Sequence, residues 1–335
     1  LRAGQLTHSL VSALWVLDPL QNLKAGFHPL FVQTWGFSMI LDPGILFVQL
    51  LGGLSRAMIL FLLASGLSLI FGVMNILNFA HATLWLLGGY ITFSVFSFFS
   101  LYLGEGGTAL VFAIVVGTGL MVLLGYLLER VLIRRMYARE LPEQLLLTFA
   151  LILIFGDLIK LVWGVEDRSI FFPIEPMEML DTFVNPYYFV VLAAGVAVAV
   201  GLLLFLKKTK YGKIVRAAVY SRDMVSAIGI RIPVIYAGVF ALGIGIAAFA
   251  GGVFLPLMPM ALGVDTDIIV QCFAVVVIGG FGSILGTFVA SLIVGIVYSF
   301  SVLVWPDGAL AVVFLIVVVV MIVRPWGLFG TELRY

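Results

Sequence analysis

The stretch Gly72-Val73-Met74-Asn75-Ile76-Leu77-Asn78-Phe79-Ala80-His81-Ala82-Thr83 places two Asn, one His and one Thr between two long apolar runs, 50–71 and 84–103. Lipid offers no hydrogen-bond partner. Polar side chains and irregular backbone are therefore tolerated at membrane depth only against protein or a water-filled cavity. The stretch reads as a break between two helices, lining the path of a transported solute.

The rest of the chain supports a membrane setting. Of its 335 residues 63% are hydrophobic and 10% charged, whereas a soluble domain carries about 25% charged residues. The fold class read from this is an all-α polytopic membrane protein. A net charge of +1 makes no case for nucleic acid as a partner, and membrane lipid is the expected surround. One cysteine, Cys272, excludes an internal disulfide and reads as packing in an apolar segment. No cleavable signal peptide is expected, since the first apolar run, 10–17, is short and ends in Asp18-Pro19.

Residues 1–45 read as a lead-in of interfacial helices: 30–41 is apolar but shorter than the roughly 20 residues a span needs. His8 and His28 fit no metal-ligand spacing. A permease domain is expected over 46–330. Its spans are placed at 44–71, 84–103, 108–128, 144–163, 187–206, 232–256, 285–304 and 309–323, with a short apolar run at 265–278. That makes about eight or nine transmembrane segments at the usual span length. The short run ends at Gly279-Gly280-Phe281-Gly282-Ser283, a second break. Each half of the chain thus holds a run, a break and a returning run, two broken or re-entrant regions that point to a weak internal duplication and a transport site.

Basic residues give the orientation. Thirteen of the 18 Lys and Arg lie in 130–139, 207–231 and the C-terminal 324–334. Alternating spans put all three on one side, read as cytoplasmic, and leave the acidic loop 164–186 outside. Topology alone does not require what 207–231 also contains. Ile214, Ala217, Ala218, Met224 and Ile228 can form an apolar stripe, and Gly229 a helix stop. A short amphipathic helix offered to the cytoplasm is what a partner's groove grips.

These motifs together resemble a known family. Gly66-Leu67-Ser68-Leu69-Ile70-Phe71-Gly72-Val73-Met74-Asn75-Ile76-Leu77-Asn78-Phe79-Ala80-His81, followed by Gly88-Gly89-Tyr90, resembles the signature of LivH-type permeases of branched-chain amino acid ABC transporters. Tyr211-Gly212-Lys213-Ile214-Val215-Arg216-Ala217-Ala218, then Arg222-Asp223-Met224 and Ile228-Gly229-Ile230, is similar to that family's cytoplasmic coupling loop. Val277 to Thr287 resembles its C-terminal glycine motif. The resemblance covers about 50–330, with Ala82 a departure where Gly would be expected after the His.

The resemblance implies a pore-forming subunit without enzymatic activity. Its implied partners are a second permease, a related LivM-type chain, two cytoplasmic ATP-binding subunits and an extracytoplasmic solute-binding protein. No cofactor is implied in this chain: ATP and Mg would sit in the partner ATPases. No G-x-x-x-x-G-K-[ST] occurs, and 279–286 lies inside an apolar run unsuited to phosphate. The ATPase-coupling residues carried over are Gly212, Arg216, Ala217, Ala218, Arg222, Asp223 and Gly229.

Taken singly, Asn75, Asn78 and His81 are spaced by three, so a helical turn would set them on one face toward a solute. Their bland role is to satisfy backbone groups freed at the break. Gly279, Gly280 and Gly282 allow either a tight turn or solute contact through exposed backbone. These six form the candidate substrate path. Asp157 and Lys160, three apart, are expected to pair, and Arg56 to snorkel or to line the external mouth. The function expected is the permease of an ATP-driven importer in the bacterial plasma membrane for amino acids, branched-chain or otherwise hydrophobic. Urea or short amides as solutes, an ion-coupled secondary transporter and a membrane enzyme are the competing readings.

Overall fold

The computed structural model describes residues 42–171 and 174–330. The lead-in expected over 1–45 lies outside the described residues apart from its last positions.

The elements run α1 (Pro43–Met74), α2 (His81–Leu103), α3 (Gly107–Val131), a 3-10 turn (Ile133–Met136), α4 (Leu141–Trp163), two short strands β1 (Met177–Met179) and β2 (Thr182–Val184), α5 (Tyr187–Lys208), α6 (Lys210–Tyr220), α7 (Arg222–Ala227), α8 (Ile232–Phe254), α9 (Val264–Gly279), α10 (Ile284–Val304) and α11 (Ala309–Val323). Eight helical segments among the described residues are long and apolar enough to cross a membrane: α1 to α5, α8, α10, and α11 with the turn before it. The all-α polytopic class is thus observed. The exception is α9, whose 16 residues extend about 24 Å, short of a hydrocarbon layer of about 30 Å.

Local chemistry sets the helix starts. Pro142 and Pro233 stand in the first turns of α4 and α8, where a missing N–H costs nothing. Thr209, Ser221 and Ser283 cap α6, α7 and α10, each side chain accepting the backbone N–H three residues on.

The described residues divide into two compact units. The smaller holds residues 42–48 and 179–182. In it Asp42 accepts the Gly44 N–H at 2.8 Å, which starts α1 at Pro43. Leu180 and Asp181 turn the chain with φ of 52° and 58°.

The larger unit, 49–178 and 183 onward, holds the core. There α8 packs on both α2 and α3. Small residues permit the approach: a Cβ on Gly88 would stand 2.7 Å from the Ala248 backbone, and one on Gly251 2.6 Å from the Trp85 carbonyl. Without a hydrophobic drive between helices in lipid, such close packing supplies the association. Gly125 meets Ile244 while Gly252 meets Ile114, so α3 and α8 run antiparallel. The basic stretches 132–140 and 209–231 therefore share one end of this unit, and Arg134 Nη2 donates to the Pro233 carbonyl there at 3.4 Å. At the opposite end two loops are tied, Arg168 and Met260 exchanging backbone hydrogen bonds of 3.0 and 2.7 Å.

Candidate functional site: two helix breaks and a docking segment

The first break follows α1. Asn75 ends the helix with φ 55°, a left-handed conformation that Asn tolerates better than most residues. Residues 75–80 are non-helical, and α2 begins at His81. The Leu63 carbonyl accepts from His81 Nε2 at 3.1 Å. Leu63 lies eleven residues before the end of α1, about 16 Å along its axis. The chain therefore descends in α1, doubles back through the non-helical residues, and starts α2 level with Leu63.

This geometry alters the reading of the polar residues. With 75–80 unwound, the spacing of three gives no common helical face. Asn75 is exposed, while Asn78 and His81 are fully buried. Neither polar atom of the Asn78 side chain has a hydrogen-bond partner among the described residues, nor does His81 Nδ1 or Trp85 Nε1 one turn on. Ordinarily such atoms are paired.

The second break lies between α9 and α10. Gly280 and Gly282 take φ of 92° and 77°, conformations open to Gly. A Cβ on Gly279 would come within 2.5 Å of the Gly286 backbone, so α9 and α10 meet closely at the turn. Residues 324–330 fold over this turn: Leu328 and Phe329 N–H donate to the carbonyls of Ile278 and Gly279 at 2.8 and 3.2 Å. Gly279 and Gly280 are buried, and Gly282 is partly exposed.

The two breaks touch. Gly282 N–H donates to Ser68 Oγ at 3.1 Å. The Phe71 and Phe281 rings stand 4.4 Å apart, those of Phe79 and Phe273 4.7 Å. A Cβ on Gly72 would lie 2.7 Å from Gly282 Cα. Segments some 194 to 214 residues apart in sequence thus form one locus, assembled at its centre from bare backbone.

Sequence reasoning missed three polar groupings. Thr83 Oγ1 donates to the buried Asp265 carboxylate at 2.6 Å, tying the start of α2 to the start of α9. Arg56 Nη2 donates to Gln271 Oε1 at 2.8 Å. Glu129, wholly buried at the foot of α3, accepts from Arg134 Nε and Nη2 at 3.3 and 3.1 Å and from the Tyr137 hydroxyl. Burial and the neighbouring Glu129 carboxylate hold the Tyr137 hydroxyl well above the usual phenol range, so it stays a donor. By contrast Asp157 and Lys160 do pair, at 3.1 Å, but on an exposed surface. The signal available was weak: Asp265 is one acidic residue opening an apolar run, and its partner is 182 positions away.

The docking segment is a short helix pair. Its buried face is Gly212, Val215 and Ala218 on α6 and Val225 on α7. A Cβ on Gly212 would overlap the Phe205 carbonyl, so the turn into α6 requires Gly. Arg216, Ala217, Arg222, Asp223 and Gly229 are exposed. The expected stripe divides: Ala218 points inward and Ile214 is partly covered, while Met224 and Ile228 are each 74% exposed, beside Tyr220 at 85%. Among the described residues no three His, Cys, Asp or Glu side chains converge as a metal site would need.

A family model described as "Branched-chain amino acid transport system / permease component" matches residues 49–323. The chain is 25% identical to the high-affinity branched-chain amino acid transport system permease protein BraD of Pseudomonas aeruginosa, over 84% of this chain and 95% of that protein. It is 25% identical to LivH of Escherichia coli K12, over 84% of this chain and 94% of that one. A probable LivH of Methanocaldococcus jannaschii is 25% identical, over 90% and 96%. No solved structure matches.

Proposed function

Because the chain belongs to the family of branched-chain amino acid transport permeases, we propose that it is the pore-forming subunit of an ATP-driven importer for amino acids, branched-chain or otherwise hydrophobic. The observation that carries this reading is the contact between two unwound segments, one from each half of the chain. Backbone freed from helical hydrogen bonding persists in a membrane bundle where it lines a path or a moving joint.

On this reading the partners hold the energy source. Two cytoplasmic ATP-binding subunits, carrying ATP and Mg, grip α6 and α7 through Tyr220, Met224 and Ile228, with Arg216 and Arg222 as charged rim. Closure of the ATPase pair pulls this helix pair. The pull reaches α8 directly and α3 through the Glu129–Arg134–Tyr137 cluster, whose arginine also holds the Pro233 carbonyl. A second permease, related or identical, completes the pathway, and an extracytoplasmic binding protein delivers the solute. The path includes Asn75, Asn78 and Gly282, with His81, Gly279 and Gly280 holding the breaks in shape. The basic end faces the cytoplasm, and the membrane is the plasma membrane.

The test is a gentle detergent pull-down of the tagged chain from native membranes, with every co-purifying protein identified. An ATPase pair recovered with the chain is the expected result. A chain recovered alone, stable and moving solute down an ion gradient, would replace this reading with a secondary transporter.

A further inference from the structure

Arg56 sits in α1, inside the membrane bundle, and three helices hold it. Its guanidinium donates to Gln271 Oε1 of α9 from Nε at 3.3 Å and from Nη2 at 2.8 Å. Its central carbon lies 3.8 Å over the Tyr298 ring of α10. A guanidinium has five N–H donors, and these contacts use two. Among the described residues no carboxylate lies within ion-pair distance of it.

The matching charge is close by. Gln271 Nε2 donates to the Asp267 carbonyl one turn earlier on α9. Asp267 and Gln271, four apart, share one helix face with about 6 Å of rise between them. The Asp267 side chain is exposed and has no ion-pair partner among the described residues. A cation and an anion on facing helices normally close on each other, because an unpaired charge in a bundle is costly. Here Gln271 and Tyr298 hold the guanidinium, and Gln271 stands one helical turn from Asp267. A ligand that carries both a carboxylate and an ammonium would satisfy both charges at once.

We propose that Arg56 and Asp267 form a zwitterion site on the transport path, Arg56 taking the α-carboxylate of an amino acid and Asp267 its α-ammonium. The proposal rests on the transport reading above and deepens it. The site selects for the two groups every α-amino acid shares, while the side chain is left to apolar surroundings. Solutes lacking both charges, such as urea or short amides, leave both Arg56 and Asp267 unmet.

The experiment uses the purified complex of this chain with its co-purifying partners in proteoliposomes, with radiolabelled L-leucine as probe. Arg56→Gln and Asp267→Asn are each expected to cut the saturated uptake rate about tenfold or more, the worth of one charge-assisted hydrogen bond. Arg56→Lys keeps the charge but loses the forked donors and the ring stacking, so it is expected to recover part of the uptake lost in Arg56→Gln. Partner recovery and thermal midpoint stay unchanged in all three. Wild-type uptake in Arg56→Gln or in Asp267→Asn overturns the site and leaves the transport reading standing. Loss of a co-purifying subunit in Arg56→Gln also overturns it, since Arg56 is then a subunit contact. A wild-type complex that moves no zwitterionic amino acid overturns both.

Discussion

Asn78 shows how a residue's surroundings separate packing from transport. It is wholly buried with an unpartnered amide, and such a group costs about 1–3 kcal/mol in desolvation. Leucine has nearly the same size and no polar atoms. Asn78→Leu is therefore expected to leave the thermal midpoint of the solubilised chain unchanged or raised, and to lower solute uptake about tenfold or more. Unchanged uptake would make Asn78 a packing residue. The polarity of 75–83 was legible, because Asn and His are conspicuous in an apolar chain. The relation of Asn75, Asn78 and His81 was not, because their spacing has meaning only if the segment is helical, and it is unwound. Glu129 illustrates the complementary limit: an acid followed by Arg130 reads as a solvated helix end, yet Arg134 and Tyr137 fold back and bury it.

At the scale of an element, α6 and α7 combine a short buried face with large exposed apolar side chains. Exposed Tyr220, Met224 and Ile228 have no reason to face water unless something covers them. Reversing the rim charge in the double variant Arg216→Glu, Arg222→Glu is expected to abolish recovery of the ATPases and to reduce uptake at least tenfold, while the chain still inserts. Normal uptake would remove these helices from the docking role. The sequence showed this element because charge, apolar spacing and a terminal Gly coincide in 207–231. It did not show which apolar residues turn inward. Val215 and Val225 do so because Ser221 restarts the helix on a new axis, shifting the register between α6 and α7.

At the scale of the whole larger unit, the spans were legible from hydrophobic length, and so was the shortness of α9. The meeting of the two breaks was not, since nothing local in either glycine stretch names its partner. That contact tolerates no added atom. Gly72→Ala sets a Cβ against the Gly282 backbone, an overpacking that costs about 1–3 kcal/mol. The variant is expected to lose thermal stability and uptake together, whereas Gly119→Ala, on an α3 face with open space around it, loses neither. A Gly72→Ala chain as stable as wild type would mean that the breaks separate easily.

The fold of residues 324–330 over the second break bears on how the protein is made. Gly280 leaves the ribosome tens of residues before Leu328 and Phe329, whose N–H groups close over the Ile278 and Gly279 carbonyls. Helices can enter the bilayer one after another during synthesis, but the turn at Gly280 stays uncovered until α11 has been inserted and the residues beyond it emerge. The meeting place of the two breaks thus closes only after α11 is made, and a nascent chain arrested just past α11 would carry all eight described spans yet hold its second break open.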